Sequence, residues 1–239
     1  MLEPGTLGSD SRPEVAAPPA YDSWLAGVRE AQANADLIRV KSASGLEGNA
    51  PELVLAEASE QQQGTAKGQR DAELPPWSKG RYGSAIGRAV HGVLQVVDLA
   101  AGALTFEFQA AVQSQSVAEG VVEQSDLVGT LAASALGSEV VQLAAAGDHW
   151  RESFSGTVDT DGTVVEGFID LLYREPDGSL VVVDYKTDAV PSGGIPSRVT
   201  YYRPQIEAYL QAIRDATGKP ARGVLLFLNP TGAQEAPVA

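Results

Sequence analysis

The sequence predicts an α/β fold, a central mixed β-sheet flanked by helices, and three stretches carry that expectation. Within 83–99 the apolar residues Ile86, Ala89, Val90, Val93 and Val97 recur at three-to-four spacing, the period of an amphipathic helix. Two aliphatic, β-branched runs, Val164–Tyr173 and Leu180–Tyr185, are joined by Arg-Glu-Pro-Asp-Gly-Ser, whose Pro-Asp-Gly is a turn signal, so they form a hairpin. Tyr201–Thr217 returns to helical spacing through Ile206, Tyr209, Leu210 and Ile213, stops at Gly218, and is followed by an apolar strand over Arg222–Leu228.

The remaining elements are read in chain order. Residues 1–20 are rich in Pro, Gly and Ala without hydrophobic period, and 56–76 are polar and turn-rich, so both read as linkers. Between them Tyr21–Ala35 forms one helix and Leu37–Val40 a short strand, with Ser42 or Ser44 as a following helix cap. Ser84 caps the helix of 83–99, and the Ala-, Val- and Leu-rich segment 117–147 makes two or three helices interrupted near Gly129 and Gly137. The division expected is a poorly structured N-terminal extension over 1–76, carrying the short helix, and a folded domain over 77–239.

Composition narrows the chemistry. The chain has 239 residues, 44% hydrophobic and 20% charged, with no stretch of 18 apolar residues, so a soluble domain without a membrane span is expected. With no cysteine it cannot hold a disulfide, a thiolate zinc site, an iron–sulfur cluster or a cysteine nucleophile. The first residues lack the basic and apolar regions of a signal peptide, which makes the cytoplasm the expected location. No phosphate loop of the Gly-x-x-x-x-Gly-Lys-Ser/Thr type occurs, and Gly80, Gly83 and Gly87 do not match a dinucleotide fingerprint.

The hairpin itself suggests a site. With its turn centred on Asp177, Asp170 lies opposite Asp184, Cβ atoms about 4.5–5.5 Å apart, and Lys186 projects from the same face as Asp184. A register slip of one residue would undo this. Two carboxylates at that distance repel, and a divalent cation between them relieves the repulsion. The lysine adds a point charge for an anionic substrate. Read without function, Asp184 and Lys186 are a surface pair at a strand end.

Gly167-Phe-Ile-Asp170-Leu-Leu, a turn, and Val-Val-Val-Asp184-Tyr-Lys186-Thr-Asp188 resemble the core of the PD-(D/E)xK nucleases. Gly87-Arg-Ala-Val-His91 ahead of the hairpin and Gln205-Ile-Glu-Ala-Tyr209 behind it are similar to the branch at the C-terminal end of RecB- and AddA-type helicase–nucleases. The resemblance covers roughly Trp77 to Leu228. It implies a restriction-endonuclease-like core in which Asp170 and Asp184 bind metal, Tyr185 offers its backbone carbonyl to the metal, and Lys186 is the catalytic lysine. His91 matches the position that completes the metal site in this branch, and Gln205 and Tyr209 are placed near it, touching the lysine or the DNA strand. Glu152, in Trp-Arg-Glu-Ser-Phe, corresponds to an acidic position that precedes the hairpin in this branch and is held as a minor candidate. The implied cofactor is Mg²⁺, with Mn²⁺ able to substitute. The implied function is a metal-dependent DNA exonuclease in end processing and recombinational repair, working with a helicase motor in cis or in trans. The competing reading is an inactive DNA-binding or assembly module of a helicase complex.

Net charge is -14, and 101–150 contains six acids with no Lys or Arg. A polyanion is therefore received where basic residues gather, at Lys79, Arg81 and Arg88 and again at Arg198 and Arg203. Trp77 and Tyr82, interleaved with Lys79 and Arg81, either stack on unpaired bases or pack on the domain edge. His149, Asp159, Asp161, Asp177 and Asp188 are read as structural.

Overall fold

Strand β3 (Val164–Arg174) organises a six-stranded mixed sheet in the computed structural model, which describes residues 21–35, 40–48, 84–188 and 190–238. One edge of β3 is lined antiparallel by β2 (His149–Val158) from Val164 to Tyr173. Its other edge is shared by two strands. β1 (Val40–Ser42) runs parallel beside Val164–Glu166, and β4 (Leu180–Lys186) runs antiparallel beside Leu171–Arg174. A fork is left between them along 167–170. Beyond β4 the sheet continues with β5 (Ala221–Phe227), parallel to β4, and β6 (Gln234–Val238), antiparallel to β5.

Helices cover both faces, as an α/β sheet with strands buried on two sides requires. Helices α2 (Ala85–Val96), α3 (Phe106–Ala118), α4 (Ser125–Leu136) and α5 (Glu139–Ala145) pack with Leu171, Tyr173, Val181, Val183 and Tyr185. Helix α6 (Ile195–Thr217) packs with Val165, Ile169, Leu172, Val182 and Leu225 on the opposite face. Val165 and Ile169 thus face α6 while Leu171 and Tyr173 face the other layer, so the alternation of β3 reverses phase at Asp170. Directly across from Asp170 in the β2–β3 register stands Glu152, a non-glycine residue at φ 48. A left-handed residue of this kind costs roughly 1–3 kcal/mol of strain.

Helix α1 (Tyr21–Ala35) belongs to a separate compact unit, Met1–Ile38, in which the rings of Tyr21 and Trp24 lie 5.9 Å apart. The second unit is Arg39–Ala239. Residues 40–48 therefore sit with the sheet although they precede the expected boundary at 76/77.

Most expected elements are present, and the differences have identifiable causes. Ser84 caps α2, its Oγ accepting from Gly87 N at 3.0 Å, and α6 ends at Gly218 with φ 66. The hairpin turn uses Gly178 at φ 88 and an Asp177 carboxylate accepting from Ser179 N at 2.9 Å. Helix α4 runs through Gly129, contrary to the interruption expected there; a Cβ at that position would make only ordinary contact with Val112 methyls at 3.6 Å, and the packing of α4 holds the helix through the glycine. Val40–Ser42 is a short strand, with Ser42 capping a 3-10 turn (Ala43–Leu46), while residues 37–39 of the strand expected over Leu37–Val40 lie outside the described residues. Helix α6 begins at Ile195, six residues before the expected start: Pro196 occupies its first turn, where a missing N–H costs nothing, and the interior Pro204 is tolerated. Helix α3 and strands β2 and β6 were not expected from the pattern. Among the described residues no single helix is long and apolar enough to cross a membrane.

Candidate active site

The expected hairpin register holds. Leu171 pairs with Val183, Leu172 with Val182, Tyr173 with Val181 and Arg174 with Leu180. One further step places Asp170 opposite Asp184, at the point where the ladder ends and the fork opens. Instead of a ladder bond, Tyr185 N donates to Asp170 Oδ2 at 2.7 Å, which turns the carboxylate into the gap. Asp170 and Asp184 are both buried, at 9% and 3% exposure.

Helix α2 brings His91 to this point because both its ends are tied down. At the N-terminal end Gly87 closes on the end of β4: a Cβ there would lie 2.9 Å from Thr187 Oγ1. At the C-terminal end Arg151 of β2 donates to the carbonyls of Leu94 at 3.2 Å and Val97 at 2.5 Å, satisfying orphan acceptors and complementing the helix dipole. Between these anchors His91 Nδ1 lies 3.1 Å from Asp170 Oδ1, and its ring meets the edge of Tyr185 at 5.7 Å. Ligand atoms of His91, Glu152 and Asp170 all lie within 4.8 Å of one another. One imidazole nitrogen with carboxylate oxygens is a donor set for a hard or borderline divalent ion such as Mg²⁺ or Mn²⁺.

Lys186 lies on the α6 side of the same centre. Its Nζ is 2.7 Å from Asp184 Oδ2, donates to Gln205 Oε1 at 2.9 Å, and sits 4.1 Å above the Tyr202 ring. Gln205 Nε2 in turn reaches the Tyr209 hydroxyl at 3.5 Å. Gly167 makes room for that hydroxyl, since a Cβ there would stand 2.8 Å from it. Glu47, on the segment after β1, approaches Lys186 Nζ at 3.8 Å.

The electrostatics follow from crowding acids around few cations. Burial alone would lower the His91 pKa, but Asp170 first, then Asp184 and Glu152, outweigh it and hold the imidazole at about 9. Burial and the Asp170 charge push Glu152 up to about 7 against the pull of His91. Burial, partly offset by Lys186 and reinforced by Asp170, raises Asp184 to about 6. Lys186 is pushed above its ordinary range because Asp184 and Glu47 overcome its burial. These preferences belong to the metal-free site; a divalent cation would compete with the protons.

Of the sequence-predicted residues, the fold brings together His91, Asp170, Asp184, Tyr185, Lys186, Gln205 and Tyr209. Arg88 lies one turn before His91 and pairs with Glu119 at 2.8 Å; Arg203 faces Glu207 at 4.0 Å. Lys79 and Arg81, with Trp77 and Tyr82, lie outside the described residues.

Residues 65–238 match the PD-(D/E)XK nuclease superfamily. The chain belongs to this superfamily. Over 180 residues the PD-(D/E)XK chain is 30% identical to an ATP-dependent helicase/nuclease subunit of Desulforudis audaxviator, covering 66% of this chain and 14% of that protein. Shorter matches reach 41% over 64 residues for the protein of the same name in a Thermoanaerobacter species, and 44% over 69 residues for that of Desulforamulus reducens. These cover 27% and 29% of this chain, and 5% of each relative. The PD-(D/E)XK chain thus spans one seventh or less of the curated relatives it matches.

Two acids that the structure brings to this cluster carry little or no sequence signal. Glu152, a minor candidate from the resemblance, stands in the cluster with His91 and Asp170; nothing in the periodicity of its own segment sets it across from Asp170, which comes from the pairing of β2 with β3. Glu47 left no signal, being one acid in Ser-Gly-Leu-Glu-Gly.

Proposed function

We propose that this domain is a divalent-metal-dependent DNA nuclease that hydrolyses phosphodiesters exonucleolytically at DNA ends, in end processing and recombinational repair, beside a helicase motor in cis or in trans. The observation that carries the reading is the convergence of His91, Glu152 and Asp170 on one side of the sheet fork and the Asp184–Lys186 ion pair on the other. Mg²⁺, with Mn²⁺ able to substitute, would polarise the phosphodiester and neutralise its charge. His91, Glu152 and Asp170 supply the ligand atoms for it, with Asp184 adjoining across the hairpin. Lys186 is held by Asp184 and Gln205 as a fixed positive charge, placed to offset negative charge that develops on the phosphate. Tyr209, through Gln205, limits the positions that Lys186 can take. The helicase association is supported by the names of the relatives, of which this chain corresponds to a small part.

Linear single-stranded and duplex DNA, labelled at either end and incubated with Mg²⁺, Mn²⁺ or EDTA, tests the reading. Metal-dependent release of short products from an end is expected. Binding without cleavage under every metal condition would instead favour an inactive binding module, and internal cuts in circular DNA would overturn the exonuclease assignment.

A further inference from the structure

Lys186 has a neighbour that the proposed chemistry does not require. Glu47 is buried, its side chain only 2% exposed, with Oε1 3.8 Å from Lys186 Nζ. It lies upstream of residues 65–238, the part of the chain that matches the superfamily. The segment that carries it is pinned on both sides. Before it, β1 pairs with β3, Ser42 Oγ accepts from Gly45 N at 3.1 Å, and Ala43 packs against the backbone of Gly167. After it, Gly48 N donates to Tyr201 O on α6 at 3.0 Å. Together these contacts lower Glu47 into the fork between β1 and β4.

A carboxylate is expensive to bury unless a positive charge lies close, and breaking such an arrangement leaves the partner uncompensated. An ammonium has three N–H bonds to direct. Asp184 and Gln205 receive Lys186 at 2.7 and 2.9 Å, the Tyr202 ring closes one side at 4.1 Å, and Glu47 closes another. We infer that Glu47 is a positioning residue, which holds the Lys186 ammonium at the Asp170–Asp184 centre, so that residues 40–48 complete a site whose other parts all lie downstream. The inference rests on the nuclease reading for its catalytic consequence, and on the structure alone for the hold on the lysine.

The test is a double-mutant cycle on the full chain with Glu47→Gln, Lys186→Met and the pair, read in three ways. Melting temperature is expected to fall for Glu47→Gln in the Lys186 background, and to stay level or rise when the same change is made in the Lys186→Met background. Reductive methylation followed by peptide mass spectrometry should find Lys186 protected in the wild type and methylated about tenfold faster or more after Glu47→Gln, as an unpinned side chain swings out. On DNA, Glu47→Gln should lower kcat about tenfold or more with KM little changed, and Mn²⁺ affinity should stay within about twofold.

Equal melting losses in both backgrounds together with unchanged methylation of Lys186 would overturn the inference. Failure of the double variant to fold would do the same, because Glu47 would then serve the fold and not the lysine. A wild-type chain that cleaves no DNA would remove the nuclease reading, and the melting and methylation arms would still decide the role of Glu47.

Discussion

Asp170 does two jobs with its two oxygens, and substitutions can separate them. Oδ1 faces His91 while Oδ2 accepts from the buried Tyr185 N. Asp170→Asn keeps an oxygen for Tyr185 and is expected to melt near the wild type while cleavage falls by several orders of magnitude. Asp170→Ala should also lose cleavage, and in addition about 1–3 kcal/mol of stability from the orphaned N–H, measurable by urea unfolding. Equal stability of the two variants would show that Tyr185 N does not depend on the carboxylate. The protonation of the same cluster sets a pH dependence. Without metal, His91 stays protonated up to about 9 and Glu152 up to about 7, and a cation must displace both protons to use those atoms. Mn²⁺ affinity should therefore rise from pH 6 to 9, with roughly two protons released per ion at the acid end and fewer as pH increases. Calorimetry in buffers of different ionisation heat measures that count, and a flat affinity across this range would contradict the ligand set.

Among the elements, α2 carries the greatest leverage on the site because its position is set by close approach at one end and an arginine at the other. Gly87→Ala would bring a Cβ to 2.9 Å from Thr187 Oγ1 and 3.0 Å from Ser84 Oγ, so these hydroxyls must turn away, with loss of the Ser84 cap, or the helix must shift to admit it. The expected result is a clear loss of Mn²⁺ affinity, from displacement of His91, with only a small fall in melting temperature. Gly223→Ala makes the informative contrast. There a Cβ would meet Ile206 Cγ2 at 2.3 Å, between β5 and α6, so overpacking should cost about 1–3 kcal/mol. Metal affinity of the folded fraction should be unaffected, since neither residue touches the cluster. Isothermal titration beside thermal melting of the two variants checks both expectations, and a Gly87→Ala chain with wild-type Mn²⁺ affinity would show that α2 does not set the His91 position.

For the molecule as a whole, a charge of -14 opposes the approach of a polyanion. Three of the basic groups expected to receive DNA, Arg88, Arg198 and Arg203, already face Glu119, Asp188 and Glu207. Only about three to five phosphates can be neutralised, so single-stranded DNA should bind the chain weakly, with an affinity exponent in salt of about -2 to -3.5. Fluorescence anisotropy with Ca²⁺ in place of Mg²⁺, across a salt series, measures both numbers. Nanomolar affinity at physiological salt would place the acidic surface away from the DNA path and remove the physical reason for a tethered motor. A tethered motor would supply what the surface lacks, because a strand delivered by a linked helicase would meet the site at high effective concentration.

Several features of this protein could be read from the sequence because their causes are local. The Pro-Asp-Gly turn and the aliphatic alternation around it set the hairpin register, and that register places Asp170 opposite Asp184. Helical period and terminal chemistry placed α2 behind Ser84 and ended α6 at Gly218. What only the tertiary structure decided is the other half of the site. Glu152 joins His91 and Asp170 because β2, a strand of mostly polar residues, pairs along the whole length of β3 and takes a left-handed residue opposite Asp170. Glu47 reaches Lys186 because a three-residue strand docks on the same edge of β3 that β4 occupies further along. Neither juxtaposition has a local signature, since the energy that produces it comes from pairing and burial between segments distant in the chain, and periodicity within one segment carries no record of the partner.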